Sequence, residues 1–203
     1  MKKFTLPALA CLLLFFVYQY FFSAPAITNS SPSGKNIICF GDSLTYGTGA
    51  GRGMDYPAQL SRLISRPVIN AGTPGDTTAS ALSRLERAVL SQDPRIVLIT
   101  LGGNDLKNRV PKERAFHNLK TIITAIQKRG ALVVVGGIDI PLYGRGFGAA
   151  YAQVCGETGA LLVPNIFEGV FGKKNLMSDP IHPNAAGYTL IARKFYRAIK
   201  PYL

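Results

Sequence analysis

Histidine and cysteine are scarce in this sequence, and their scarcity excludes several classes of protein. The 203 residues include only two histidines, His117 and His182, which is too few for most multi-histidine metal enzymes. The three cysteines, Cys11, Cys39 and Cys155, are too widely spaced for a disulfide scaffold and form no Cys-x-x-Cys pair. The sequence therefore predicts neither a metal centre nor another bound cofactor.

Acidic residues are also scarce, because 11 Asp and Glu stand against 23 Lys and Arg, a formal net charge of +12. Such a surface attracts anionic lipids, anionic polysaccharides or negatively charged substrates. Nucleic acid is not an expected partner, since the chain has no run of five basic residues and no nucleic-acid-binding motif. The length and a hydrophobic content of 47% predict one packed domain.

The first 26 residues form a separate segment. Two lysines precede an uncharged run over residues 4–22, long enough as a helix to span roughly 28 Å, about the thickness of a bilayer core. Ala24-Pro25-Ala26 has the small-x-small pattern of a signal peptidase site. Residues 1–26 are therefore predicted to be a signal peptide or a retained membrane anchor, followed by a polar linker over 27–35. Both alternatives export the domain to the periplasm or cell exterior.

From residue 36 onward, short apolar runs alternate with longer segments of helical period, which is typical of a parallel sheet covered by helices. The predicted strands are 36–41, 67–71, 95–101, 131–137 and 161–163, and the predicted helices are 55–65, 77–91, 112–129, 147–159 and 183–199. Pro183 is expected in the first turn of the last helix. Residues 36–203 thus predict an α/β domain, a three-layer α/β/α sandwich around a five-stranded parallel sheet.

In an oxidising compartment Cys39 and Cys155 could form a disulfide. Cys39 lies in a strongly apolar strand and Cys155 in a helical pattern, so two buried free thiols are predicted instead. His117 follows Phe116 at the edge of a helical apolar stripe, and a surface position is expected for it.

Residues with catalytic potential cluster at the carboxyl ends of the predicted strands, where open α/β sheets bind ligands. Ser43 follows the first strand, near a helix N-terminus that favours developing negative charge. A serine nucleophile needs a base and a group that orients the base, and His182 and Asp179 supply both. An oxyanion hole is predicted from the Asn104 side chain, the Gly75 N–H and the Ser43 N–H.

Asp42 and a loop after the fourth predicted strand each have two possible roles at these ends. Asp42 is expected to hold the turn or cap the helix that follows it. Tyr143, Arg145 and Phe147 lie in a glycine-rich loop after the fourth strand. That loop is either an ordinary surface loop or the wall of an acyl pocket, since loops of this kind often carry specificity.

Four separated blocks of this chain resemble the GDSL/SGNH hydrolases, nearest to their compact bacterial arylesterase, thioesterase and lysophospholipase branch. The blocks are Gly41-Asp42-Ser43-Leu44-Thr45-Tyr46-Gly47, Asn70-Ala71-Gly72-Thr73-Pro74-Gly75-Asp76-Thr77, Gly102-Gly103-Asn104-Asp105 and Asp179-Pro180-Ile181-His182-Pro183-Asn184. The resemblance covers residues 36–200 and implies the flavodoxin-like SGNH fold and a serine esterase. It implies Ser43 as nucleophile, His182 as base, Asp179 as its orienting carboxylate, and Gly75 and Asn104 as oxyanion donors.

Two other enzyme classes do not fit the sequence, and two other functions stay open as alternatives. A metallophosphoesterase would need more histidines and carboxylates at the site than this chain offers. An α/β-hydrolase would need Gly-x-Ser-x-Gly, whereas residue 45 is Thr. A deacetylase of an extracytoplasmic glycan and a non-catalytic acyl- or glycan-binding domain stay open. The expected substrate is a small-molecule or lipid ester, and the basic surface suggests lysophospholipids at an anionic membrane.

Overall fold

Five parallel strands form the centre of this computed structural model, which describes residues 11–12, 26–140, 144 and 146–203. The strands are β1 (Asn36–Gly41), β2 (Val68–Gly72), β3 (Pro94–Thr100), β4 (Leu132–Gly136) and β5 (Leu161–Val163). Their order in the sheet is β2-β1-β3-β4-β5. β4 is buried throughout and β3 nearly so, because helices cover both faces of the sheet. The five predicted strands are confirmed, each end within one residue of its expected position.

Helices form the two outer layers. They are α1 (Ser43–Tyr46), α2 (Tyr56–Ile64), α3 (Thr78–Ala88), α4 (Gly103–Lys107), α5 (Lys112–Gln127), α6 (Phe147–Thr158) and α7 (Ala185–Ile199), with 3-10 helices at Leu90–Gln92 and Lys200–Tyr202. α2 packs against α7, whereas α5 packs between α3 and α6. The chain crosses from β1 to β2 in one direction and makes its later crossovers in the other. Right-handed crossovers therefore place the two helix groups on opposite faces, which confirms the predicted three-layer sandwich.

The direction of the chain reverses between β1 and β3, which are neighbours in the sheet. Such a reversal opens a crevice at the carboxyl ends of the two strands, because their connections leave toward opposite sides. Ser43 follows β1 and Asn104 follows β3, so both residues lie at this crevice. The topology thus brings together two of the residues selected from the sequence.

Two features of the helices differ from the prediction. The bounds of α1 and the existence of α4 were not predicted, because helices of 4 and 5 residues are too short to show a helical period. The last helix begins at Ala185, and the Asn184 side chain caps it by accepting the backbone N–H groups of Ala186 at 3.0 Å and Gly187 at 3.1 Å. The prediction that Pro183 lies in its first turn was wrong, since the cap is Asn184 and the helix begins two residues after Pro183.

The segment over residues 27–35, predicted as a polar linker, packs against the domain. The Thr28 hydroxyl donates to the Thr158 carbonyl at 2.9 Å, and the Asn29 amide donates to the carbonyls of Gln127 at 2.8 Å and Ala131 at 2.9 Å. These carbonyls lie at the ends of α5 and α6 and at the start of β4. The segment is therefore attached to the amino edge of the sheet, opposite the crevice.

The predicted signal peptide or anchor over residues 1–26 lies outside the described residues, apart from positions 11, 12 and 26. Among the residues that were described, no helix has the length and apolar character needed to cross a bilayer. Cys39 and Cys155 are buried free thiols, and His117 is exposed. Both of these sequence predictions are confirmed.

Candidate active site

Ser43 is held by a tight turn between β1 and α1. The Asp42 side chain caps α1 by accepting the Leu44 N–H at 2.9 Å, which confirms its expected capping role. At Gly41 a β-carbon would collide with Thr100 and Thr45, so only glycine allows the end of β1 to come this close to β3. The turn places the Ser43 side chain at the N-terminus of α1 and at the crevice.

His182 and Asp179, the predicted base and its carboxylate, lie on one loop before α7. One oxygen of the Asp179 carboxylate accepts the backbone N–H groups of Ile181 and His182, both at 2.8 Å. The other lies 2.7 Å from His182 Nδ1. Burial alone would raise the pKa of the Asp179 carboxyl, but these hydrogen bonds outweigh it and lower the pKa. Asp179 is therefore a fixed, ionised acceptor for the imidazole.

The two halves of the site meet between His182 and Ser43. His182 Nε2 lies 3.1 Å from Ser43 Oγ, and Nδ1 faces Asp179. Because the carboxylate holds the proton on Nδ1, the lone pair of Nε2 faces the serine hydroxyl. The structure thus joins the three side chains in the arrangement that a serine nucleophile requires.

The two predicted oxyanion donors differ in their surroundings. The Asn104 side-chain NH₂ donates to the Asp76 carbonyl at 2.9 Å and lies 3.3 Å from a carboxylate oxygen of Asp42. Gly75 is exposed with φ +86°, and its N–H has no hydrogen-bond acceptor among the described residues. Gly75 does not line the cavity next to Ser43. It lies on the adjoining loop, whose Thr73 N–H donates to the Gly41 carbonyl at 2.9 Å.

The other glycine of that block, Gly72, has a packing role. A β-carbon at Gly72 would collide with the backbone of Thr45 and Tyr46 in α1. Gly72 thus lets β2 approach the helix that carries Ser43, whereas Gly75 has open space around it. This difference agrees with the assignment of the donor role to Gly75.

Three buried carboxyl groups lie beneath the crevice, at Asp42, Asp76 and Asp105. The pKa of Asp42 is raised from 3.8 to about 7. Burial is the largest cause, the charges of Asp76 and Asp105 act in the same direction, and the hydrogen bond from the Leu44 N–H opposes them. Asp105 accepts the Thr78 N–H at 2.9 Å and the Thr78 hydroxyl at 2.7 Å, so it caps α3. Asp42 is the one of the three that lines the cavity.

Arg84, which the sequence analysis did not select, links several parts of the site. Its Nε donates to Asp76 at 2.6 Å, and its Nη2 donates to the carbonyls of Gly41 at 2.9 Å and Ala71 at 3.0 Å. Its guanidinium also lies 4.5 Å from the centre of the Phe40 ring. Arg84 thus ties the ends of β1 and β2 to the loop whose Asp76 carbonyl holds Asn104. The only sequence signal for it was a basic residue on a helix two turns after an acidic one.

A cavity of about 1100 Å³ opens beside Ser43 and His182. Its apolar side chains include Leu106, Val110, Ile138, Ile140, Phe147, Phe167, Phe171 and Ile181. Phe147, considered from the sequence as a wall of an acyl pocket, lines this cavity, while Tyr143 and Arg145 lie outside the described residues. Within residues 26–140, 144 and 146–203, no three His, Cys, Asp or Glu side chains form a group that could hold a metal ion.

Comparison with known proteins places these features in a family. Residues 39–190 match the model of the GDSL-like lipase/acylhydrolase family. The esterase TesA of Pseudomonas aeruginosa is 28% identical over 191 residues, covering 89% of this chain and 95% of TesA. Thioesterase 1/protease 1/lysophospholipase L1 of Escherichia coli K12 is 30% identical over 183 residues, covering 86% of this chain and 88% of that protein.

A solved structure agrees with these matches. The psychrotrophic esterase EstA from Pseudoalteromonas sp., inhibited by monoethylphosphonate, has a TM-score of 0.74 and 28% identity, and the match covers 82% of this chain and 97% of EstA. The family match includes Ser43, Gly75, Asn104, Asp179 and His182 within its span. This protein belongs to the GDSL-like lipase/acylhydrolase family and has the SGNH-hydrolase fold.

Proposed function

We propose that this protein is a serine esterase that hydrolyses carboxylic esters through an acyl-enzyme intermediate. The observation that carries the proposal is the chain of contacts from Asp179 through His182 to Ser43, at 2.7 Å and 3.1 Å. The names of the relatives, which are an esterase and a thioesterase/lysophospholipase, support the same reaction class. The apolar cavity beside the serine favours an acyl chain over a glycan.

In this proposal the reaction starts when Ser43 Oγ attacks the ester carbonyl and transfers its proton to His182 Nε2. Asp179 stabilises the imidazolium that forms and keeps it oriented. The tetrahedral intermediate collapses as His182 donates the proton to the leaving alcohol, which leaves an acyl group on Ser43. Water then attacks that acyl group with His182 again as the base, and the free acid departs.

The oxyanion is held by the side-chain NH₂ of Asn104 and the backbone N–H groups of Gly75 and Ser43. Asn104 keeps its 2.9 Å bond to the Asp76 carbonyl, and the oxyanion replaces the longer 3.3 Å contact with Asp42. The raised pKa of Asp42 favours this exchange, because a carboxyl that is partly protonated near neutral pH repels a neighbouring oxyanion less than a full carboxylate would.

We propose export of the domain across the cytoplasmic membrane, on the strength of the N-terminal lysines, apolar run and small-x-small site. An anionic membrane surface is the proposed partner, because the chain carries a net charge of +12. Turnover of lysophospholipids on anionic vesicles should then fall as salt is added. A rate on vesicles that does not change with salt would contradict this partner.

The reaction is tested by ester hydrolysis with the full-length chain. p-Nitrophenyl esters of increasing acyl length should release p-nitrophenol with saturation kinetics, and Ser43→Ala should lower kcat by about 10⁴-fold or more. Lys200→Gln is the matched control, since Lys200 is exposed at the far end of α7. Equal rates for the wild type and Ser43→Ala would contradict the proposal.

A further inference from the structure

Charged and apolar side chains occupy different parts of the cavity beside Ser43. Among the described residues three cations line it, Lys107, Arg109 and Lys112, and all three come from one short stretch between the end of α4 and the start of α5. Glu113 is the single carboxylate that this stretch adds to the lining. This stretch, residues 107–113, is called the cationic wall below, and its charges sum to a net positive potential at the cavity.

Most of the other described residues that line the cavity are apolar. Ile138 and Ile140 follow β4, Phe147 begins α6, and Phe167 and Phe171 follow β5. These side chains are aliphatic or aromatic, so they suit an acyl chain. The cavity therefore has an amphipathic lining, with Ser43 and His182 within reach of both parts.

The cations of the wall are not engaged elsewhere in the described structure. Among the described residues, no recorded ion pair or side-chain hydrogen bond involves Lys107, Arg109 or Lys112. By contrast, Arg84 and Lys194 both have protein acceptors, at 2.6 Å and 2.8 Å. Cations already paired within the fold bind a ligand only by losing those bonds, whereas the three of the wall have no such bond to lose among the described residues.

Local structure fixes the wall in place. Arg109 has φ +56°, and the turn around it is closed by its own N–H donating to the Leu106 carbonyl at 3.2 Å and by the Val110 N–H donating to the Asp105 carbonyl at 2.9 Å. Lys112 is half-buried, and its Nζ lies 3.5 Å from the place that a β-carbon on Gly146 would occupy. The ammonium of Lys112 therefore lies near the start of α6, beside the cavity that it lines.

We propose that the cationic wall is an anion-binding subsite, and that the preferred substrates are acyl esters that carry a phosphate or a carboxylate. This inference rests on the proposed esterase function. Lys107, Arg109 and Lys112 hold the anionic group by charge-assisted hydrogen bonds while the acyl chain lies on the apolar residues. The anion is either part of the alcohol, as in a glycerol phosphate ester, or the far end of the acyl chain, as in a dicarboxylic half-ester.

The test compares matched esters that differ by one anionic group. Octanoyl-glycerol phosphate is paired with octanoylglycerol, and the p-nitrophenyl half-ester of suberic acid is paired with p-nitrophenyl octanoate. The full-length triple variant Lys107→Gln/Arg109→Gln/Lys112→Gln removes the wall. The matched control Arg87→Gln/Lys128→Gln/Lys200→Gln removes three exposed cations from helix ends at the opposite edge of the sheet, so it changes the net charge equally.

The wild type should prefer the charged member of at least one pair. The triple variant should lose roughly 30-fold or more in kcat/KM on that anionic ester, and stay within about threefold of the wild type on its neutral partner. The control variant should keep both rates within about threefold, because screened distant charges contribute little. The pair that shows the loss identifies whether the anion belongs to the alcohol or to the acyl chain.

Three results would overturn the inference. The first is an equal loss on charged and neutral esters, which would make the wall a structural element only. The second is no loss on either anionic ester, and the third is an equal loss in the control variant, which would assign the effect to net charge. A wild type that hydrolyses neutral esters in any of these cases leaves the proposed function standing, whereas a wild type that hydrolyses no ester removes both.

Discussion

Ser43 and His182, the proposed nucleophile and base, reach the same cavity on parts of the molecule that are built differently. Ser43 and Asn104 follow central strands and rest on buried carboxyl groups, of which Asp42 is only 2% exposed. The Asp179 side chain, on the loop before α7, is 42% exposed and is held by hydrogen bonds to its near neighbours. The strand side of the site is thus part of the core, whereas the loop side is an addition to the surface.

This difference teaches where function and stability are coupled. A buried polar group that loses its partner keeps its desolvation cost, so changes on the strand side should affect folding as well as rate. An exposed group returns to water when its partner is lost, so changes on the loop side should affect rate alone. Six substitutions separate these two behaviours.

The largest loss of activity is expected at Ser43 and His182, where the strand side and the loop side of the site meet. Ser43→Ala and His182→Ala should each lower kcat by about 10⁴-fold or more, and the double variant should be little worse, because a triad acts as a unit. Steady-state ester hydrolysis measures this. Near-normal turnover in either single variant would remove that residue from the mechanism.

Asp179→Asn should lower kcat by about 10³-fold, because an amide cannot hold the imidazole proton on Nδ1. Since Asp179 is exposed, the free energy of unfolding from urea denaturation should match that of the wild type. A clear loss of stability together with activity would show that the loop belongs to the core, contrary to the comparison.

Arg84→Leu should have its main effect on folding. Asp76, whose side chain is 8% exposed, would keep a buried charge without its partner at 2.6 Å, and breaking a buried pair costs about 3 to 5 kcal/mol. Urea denaturation measures the loss, and the double variant Arg84→Leu/Asp76→Asn should recover part of it. Unchanged stability would mean that the pair does not hold the strand ends together.

Asn104→Ala should lower kcat by about 10²-fold with little change in KM, because oxyanion binding acts only in the transition state. It should also lower stability slightly, since the Asp76 carbonyl loses a donor at 2.9 Å. Asn104→Asp serves as a control that keeps the shape but not the donor. A kcat close to that of the wild type would exclude Asn104 from the oxyanion hole.

The last effect concerns how the free energy of unfolding depends on pH. Burial raises the pKa of Asp42 from 3.8 to about 7, so between these values the folded protein keeps a proton that the unfolded chain releases. The stability contributed by this group is full below about pH 4 and is lost as the pH rises to about 7. Asp42→Asn retains the cap and should abolish this loss, so its advantage over the wild type should grow by roughly 3 kcal/mol from pH 4 to 7. Parallel stability curves would contradict the shift.

The strands and the polar residues at their ends were predictable from the sequence. Each strand is a continuous apolar run between helical segments, so its position could be read directly, and the parallel topology then placed Ser43 and Asn104 at one edge. Asp179 and His182 were predictable from their chemistry and from the resemblance of four blocks. Their catalytic roles stay predictions, although the contacts that those roles require are present.

The features that the sequence could not predict are contacts between residues that lie far apart in the chain. The bonds of Arg84 to Gly41 and Ala71 join segments far apart in the chain, and no local pattern specifies them. The hydrogen bonds of Asn29 to the end of α5 and to the residue before β4 also join distant segments. A polar segment rich in Ser and Pro is typical of a linker, and its sequence does not specify these acceptors. The separation of charged from apolar residues in the cavity likewise emerges only when the elements meet.

The most direct test of the central claim is the intact mass of the full-length protein after treatment with a fluorophosphonate, beside Ser43→Ala treated in the same way. The reagent labels only an activated serine and needs no knowledge of the substrate. The account predicts one phosphonyl adduct on the wild type and none on Ser43→Ala. A folded wild type without an adduct, or an equal adduct on Ser43→Ala, would contradict it.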